Sequence, residues 1–229
     1  MTGRQGGIAS GAAMLMVLVL VFVAVASACT ASRSADEPGQ VVLPEVEFPA
    51  SVESVVMIGD SLTEGAQPEL ESALAAAGFE VARIDGQSSR RIVVDQDGGP
   101  SSGVAAIEQA LADGLAPDAW VIALGTNDVT HNESIDDFVV IIEELLDAIP
   151  DDAMVVWVDV YLRDFPGQTD VFNTTVRRVV ADRSDSVVFD WSALAAEPAL
   201  VGDDGIHLTE AGNVAFATAV TEALSLRQG

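Results

Sequence analysis

The chain has 229 residues, a length that suits one ordinary domain plus a small addition, and 49% of them are hydrophobic. It carries 36 acidic residues against 10 basic ones, all of them Arg; no acid precedes Cys29, so the part from Cys29 on holds 36 acids and 9 Arg, a net of −27. Such a chain cannot replace counterions along a phosphate backbone or dock electrostatically on anionic lipid, which excludes nucleic acid as a partner, and its single Cys excludes an internal disulfide and a cysteine-based metal site.

The N-terminus opens with Arg4 and then an almost uncharged run from Ile8 to Ala28, with Met14 to Val23 at its centre. A short basic start, an apolar stretch and small residues before a cut site describe an export signal. Here the small residues are Ala26, Ser27 and Ala28, and Cys29 follows at once. The arrangement resembles a bacterial lipobox, with Ala26 standing where that pattern has Leu or a similar aliphatic residue. The resemblance implies a signal peptide over 1–28, lipidation of Cys29 and a membrane-anchored lipoprotein outside the cytoplasmic membrane. Two alternatives stay open: an uncleaved helix, since about 20 apolar residues span a bilayer, and secretion after cleavage. Residues 29–51 contain Ser32, Ser34, Asp36, Glu37, Pro38, Gly39, Pro44 and Pro49, which break any period and predict an extended tether.

Regular patterning begins at about Val52, so 52–229 is read as the folded domain. Val55 to Ile58 predicts a buried strand ending in Gly59. Pro68 to Ala77 predicts a helix stopped by Gly78. A strand over Phe79 to Ile84 and a helix over Val104 to Leu115 follow. Trp120 to Leu124 is a third strand. Ser134 is a cap for a helix running to Ala148, with Phe138, Ile141, Ile142, Leu145 and Ile149 on one face. Met154 to Val158 is a fourth strand, Thr169 to Ala181 a helix, Val187 to Phe189 a fifth strand and Thr209 to Leu226 the last helix. Strands alternating with helices, too far apart for hairpins, imply parallel pairing by right-handed crossovers. The expected fold is therefore an α/β protein, a three-layer α/β/α sandwich on a five-stranded parallel sheet, whose ligand site lies at the carboxyl ends of the strands.

Polar residues gather at those ends. Gly59-Asp60-Ser61 follows the first strand, Asp85 to Arg91 the second, Gly125-Thr126-Asn127-Asp128 the third, and Asp204 to His207 comes after the fifth. A Ser hydroxyl becomes a nucleophile only when a base takes its proton. His207, one of two histidines, is such a base if a carboxylate holds its other ring nitrogen; Asp204 at i−3 can reach it, with Asp203 as rival. In order and spacing the four blocks resemble those of the SGNH (GDSL) hydrolases. That resemblance implies a flavodoxin-like sheet and serine-esterase chemistry, with Ser61, His207 and Asp204 as the triad. It also implies that the oxyanion is held by the backbone N–H of Ser61, the Asn127 amide and a third donor. The family has a Gly for that donor, but counting from the second strand lands on Ser89. Ser89-Arg90 resembles the second block of extracellular enzymes acting on acylated cell-wall glycans, and Gly86 is the alternative donor.

The same stretches admit other readings. Gly99-Pro100-Ser101-Ser102-Gly103 matches a nucleophile-elbow pattern, but no strand leads into it, so it is read as a loop. His131 is read as an exposed loop histidine following the Asn127 turn. Asp60 and Asp128 are read as turn and supporting hydrogen-bonding groups. Arg90 and Arg91 are read as either anion or sugar binders or a solvated pair, and the three Trp as core. The expected protein is an exported monomer without cofactor or metal, hydrolysing esters of small acyl groups such as acetyl. A cell-wall glycan O-acyltransferase using the same residues and a catalytically silent surface-binding domain are the rivals.

Overall fold

The structure, a computed structural model, describes residues 52–131 and 134–225. The expected signal peptide, Cys29 and the tether lie outside the described residues. Five strands form one all-parallel sheet: β1 (Ser54–Gly59), β2 (Glu80–Gly86), β3 (Ala119–Ala123), β4 (Met154–Val158) and β5 (Ser186–Phe189), in the order β2-β1-β3-β4-β5. The helices among the described residues are α1 (Ser61–Gly65), α2 (Gln67–Ala76), α3 (Gly103–Ala112), α4 (Ile135–Asp147), α5 (Pro166–Val180), α6 (Trp191–Ala195) and α7 (Glu210–Ser225). This is the flavodoxin-like strand order, and the three-layer architecture is the one the alternating pattern predicts.

Two apolar layers flank the sheet because successive strand side chains point to opposite faces. In β1, Val55 and Met57 meet α2, α6 and α7 through Leu70, Leu74, Trp191, Phe216 and Val220. Val56 and Ile58 turn the other way, toward α3, α4 and α5 with Ile107, Phe138, Ile142, Phe172 and Val176. The central strands β3 and β4 are buried on both faces, which is why they read as unbroken apolar runs. Trp120, Trp157 and Trp191 are fully buried, as core residues. Phe138 and Phe172 pack edge to face at 5.2 Å between α4 and α5, and truncating either to Ala would cost about 3–5 kcal/mol.

The cap at Ser134 forms as the sequence predicts, and Asp137 completes a capping box with it. Ser102 caps α3 by accepting from Ala105 N–H at 3.2 Å, so the Gly99–Gly103 stretch is a loop leading into a helix. The short helices α1 and α6 have no counterpart among the expected elements; five residues are too few to show a 3.6-residue period. What sets the site is topological. From β1 the chain goes to β2 on one side, then crosses to β3 on the other, so the segments leaving β1 and β3 part and open a crevice above the sheet.

Candidate active site

Ser61 stands at the mouth of that crevice as the first residue of α1. Asp60 begins the helix by accepting the Leu62 N–H at 3.0 Å, and the leading N–H groups of a helix have no intrahelical acceptor. The end of β2 passes directly beneath α1. A Cβ on Gly86 would stand 2.3 Å from the Glu64 backbone nitrogen, so Gly86 is needed for this close approach. Gly86 does not line the cleft, whereas Ser88 and Ser89 do. Of the two candidate donors, Ser89 is the one at the cleft and Gly86 the one packed against α1.

Ser89 lies in a tight turn in which Arg90 N–H donates to the Gln87 carbonyl at 3.1 Å. Its φ of 67° is a left-handed conformation that Gly adopts freely and Ser does not. The turn is held from outside. Glu64 accepts both the N–H (2.9 Å) and the hydroxyl (2.5 Å) of Ser88, and Gln96 donates to the Ser89 carbonyl.

Both sequence readings of Arg90 are corrected by its burial. Arg90 is neither an anion binder nor a solvated charge; it is fully buried. Its guanidinium donates to the carbonyls of Gly59 (3.1 Å), Asp85 (2.6 Å) and Ser101 (3.1 Å) and pairs with the Asp85 carboxylate at 2.9 Å. It thus ties the ends of β1 and β2 to the loop before α3. Its own carbonyl accepts from Asn127 Nδ2 at 3.1 Å, which fixes the Asn127 amide and leaves its second N–H for the cleft. Arg91 pairs with the buried Asp128 at 3.2 Å, and Asp128 also accepts the Ile92 N–H at 3.2 Å.

The fourth block is a closed loop, bracketed by the antiparallel bridge of Val201 and Leu208 and by Gly202 N–H donating to the His207 carbonyl at 2.8 Å. Within it, Asp204 Oδ1 accepts the N–H groups of Ile206 and His207, each at 3.0 Å. Its Oδ2 meets His207 Nδ1 at 2.7 Å, and His207 Nε2 meets Ser61 Oγ at 3.1 Å. The His207 hydrogen bond, then the two backbone N–H groups, hold the Asp204 carboxyl down at about 2. It is the Asp204 carboxylate, not that of Asp203, that meets the ring, as the spacing argument expects. Both side chains of the pair are about half exposed.

The cleft around Ser61 has a volume of about 390 Å³, within the size of small-ligand sites. Its lining combines polar residues, among them Ser88, Ser89, Asn127, Thr130 and His131, with apolar Leu162, Phe165 and Ile206. His131 is exposed, as its loop position suggests, and it also lines this cleft. Sequence reasoning missed the apolar part of the lining because it followed only the polar residues after each strand; the position of Leu162 and Phe165 beyond β4 was the available signal. Behind the cleft, burial pushes the carboxyls of Asp60 and Asp128 up to about 6. Among the described residues no group of His, Cys, Asp and Glu is suited to hold a metal ion, and no helix is long and apolar enough to cross a membrane.

The sequence profile of the GDSL-like lipase/acylhydrolase family matches residues 57–215. No curated protein sequence matches the chain. Among solved structures, the catalytic domain of a Streptococcus pneumoniae peptidoglycan O-acetyltransferase is similar, with a TM-score of 0.60 at 19% identity over 78% of this chain and 96% of that one. A carbohydrate acetylesterase from Sinorhizobium meliloti also gives 0.60, at 20% identity over 76% and 99% of the two chains. A family 3 carbohydrate esterase from Clostridium thermocellum gives 0.56, at 17% identity over 79% and 100%.

Proposed function

Because this chain belongs to the GDSL-like lipase/acylhydrolase family, we propose that it hydrolyses carboxylic esters with Ser61 as nucleophile, His207 as general base and Asp204 as the group that orients His207. The observation that carries this reading is the pair of contacts along one line, 3.1 Å from Ser61 Oγ to His207 Nε2 and 2.7 Å from His207 Nδ1 to Asp204. Ser61 Oγ attacks the acyl carbonyl carbon and passes its proton to Nε2. The resulting oxyanion is met by the N–H groups of Ser61 and Ser89 and the second N–H of Asn127; losing one such donor costs about 2.7–4 kcal/mol of barrier stabilisation. Collapse breaks the ester C–O bond, and the leaving alcohol takes the proton from His207. Water then attacks the acyl-enzyme, gives a proton to His207, and the acid departs as Ser61 regains its hydrogen. The half-exposed dyad and open cleft suit entry of that water.

The substrate is an ester of a small acyl group such as acetyl, for which Leu162, Phe165 and Ile206 offer apolar contact and Ser88, Thr130 and His131 offer polar contact for the alcohol part. Purified protein hydrolysing p-nitrophenyl acetate tests this: Ser61→Ala and His207→Ala retaining the parent rate would end the reading. A glycan O-acyltransferase shares every step up to the acyl-enzyme; the polar rim beside Ser61 is the observation that favours it, and product analysis with a glycan acceptor separates the two. We also propose export and lipid anchoring at Cys29, with 29–51 holding the domain off the membrane. Cys29→Ala should release the protein from membranes or block its processing; unchanged retention would favour an uncleaved anchor.

A further inference from the structure

The loop that carries Asp204 and His207 is gripped by a residue no catalytic motif contains. Arg163 follows β4, 41 positions before Asp204 by their numbering. Its guanidinium donates to three consecutive main-chain carbonyls: Val201 and Gly202 through Nη2, at 3.3 and 3.0 Å, and Asp203 through Nη1, at 3.3 Å. Its own backbone N–H donates to the Gly205 carbonyl at 3.0 Å. The two segments also meet face to face at Gly205, which has φ 74° and where a Cβ would stand 2.7 Å from Arg163 Cβ. Arg163 therefore holds the chain on both sides of Asp204.

The loop needs this hold for a physical reason. Asp204 and His207 are about half exposed, so no packing shell fixes them. An exposed ion pair is worth little by itself and costs side-chain entropy to keep in one geometry. Besides Arg163, the two N–H bonds to Asp204 Oδ1 and the closing bond of Gly202 to His207 shape the loop. Its ends are tied down by buried Val201, the Val201–Leu208 bridge and Thr209 N–H donating to the Leu200 carbonyl. Those anchors hold the two ends of the loop; of the side chains in the described contacts, Arg163 alone grips the carbonyls of 201–203 that lead into Asp204. A planar guanidinium with donors in a fixed fork can span several carbonyls at once, which a Lys ammonium on a flexible stem cannot.

We infer that Arg163 is a positioning residue for the reaction, setting the Asp204–His207 pair at the right distance from Ser61 by clamping carbonyls 201–203. The inference rests on the triad reading above and goes beyond it in assigning the geometry of that triad to a residue on a different element. Because the clamp is exposed, its loss should disturb catalysis much more than folding.

The experiment compares the parent with Arg163→Ala and Arg163→Lys, alongside Ser61→Ala. With p-nitrophenyl acetate, Arg163→Ala should lower kcat by about 10–100-fold, the range expected of a reacting group displaced by about an ångström, with KM within about twofold. Its melting temperature should fall by less than about 4 °C. Arg163→Lys should recover only part of the loss. In proton NMR, the deshielded Nδ1–H of His207 shared with Asp204 should be sharp in the parent and broadened or lost in Arg163→Ala. An unchanged kcat with the resonance intact would overturn the inference, as would full recovery by Lys. If the parent has no activity that Ser61→Ala removes, the triad reading fails separately, and the resonance still decides whether Arg163 orders the pair.

Discussion

Replacing Asp204 by Asn keeps the shape of the side chain and changes one proton's address. In the parent, Oδ1 accepts from the N–H groups of Ile206 and His207 at 3.0 Å each, while Oδ2 faces His207 Nδ1 at 2.7 Å. Two backbone donors at the first position require an acceptor there, so the Asn carbonyl oxygen occupies it and the amide nitrogen turns to His207. That nitrogen donates, which forces Nδ1 to be the unprotonated one. The proton then resides on Nε2, directed at Ser61 Oγ 3.1 Å away, and the base has no lone pair for the serine proton. The corresponding swap in a serine triad lowers kcat by about 10⁴-fold, or about 5.5 kcal/mol of barrier. Folding should hardly change, because an exposed pair contributes at most about 1 kcal/mol. Initial rates of p-nitrophenyl acetate hydrolysis and a urea melt of the same preparations read both numbers. An Asn variant keeping more than about a tenth of the parent kcat would refute the assignment of Asp204 as the orienting group.

Three further outcomes follow from neighbouring residues. Arg90→Met removes four donor contacts from a fully buried position, leaving orphaned acceptors. It should cost about 3–5 kcal/mol in urea unfolding, and a loss below about 1 kcal/mol would contradict the role given to Arg90. Ser89→Gly places the unstrained residue at φ 67°; it should add about 1 kcal/mol of stability and keep kcat, since the donor is a backbone N–H, whereas a large loss of kcat would mean that the hydroxyl is required. Burial raises the carboxyls of Asp60, Asp128 and Asp159 to about 6, so the folded state binds more protons than the unfolded chain between about pH 4 and 6. Their stabilising contribution is full below the unfolded values and lost as pH rises through about 6. The melting temperature should therefore rise on acidification from about pH 7 toward 5, and Asp128→Asn should flatten that rise; a melting temperature that falls over this window would show that other groups dominate.

The sheet, its parallel order and the two-layer core were legible because strands buried on both faces leave long apolar runs and because the helices joining them are regular enough to show their period. Ser61, Asn127, Asp204 and His207 were legible for a different reason: each follows a strand or caps a loop at the edge where such folds place ligands. What stayed hidden depends on direction in space. Arg90 and Arg91 look alike as neighbours in the chain, yet one is fully buried against four acceptors and the other pairs with Asp128. Counting pointed to Ser89 but left Gly86 open, because which of them packs against α1 and which lines the cleft is a matter of direction in space. Arg163 was invisible because its partners are main-chain carbonyls, which carry no residue identity.

Openness bears on the fate of the acyl-enzyme. A transferase has to hold its acceptor well enough to outrun water at the same carbonyl. In this site His207 and Asp204 are about half exposed, so water has a direct path to the base that activates it. Among the described residues the polar rim an acceptor would meet includes Ser88, Thr130 and His131, and a few exposed hydrogen bonds of about 0.5–1.5 kcal/mol each give weak occupancy against bulk water. Hydrolysis should therefore prevail: with an acetyl donor and a soluble cell-wall glycan present together, free acetate should remain the principal product. Its appearance should also be little affected by His131→Ala, because water needs no rim contact. If adding glycan diverts most of the acetyl group, and His131→Ala restores acetate, the rim is an acceptor site and the enzyme works as a transferase.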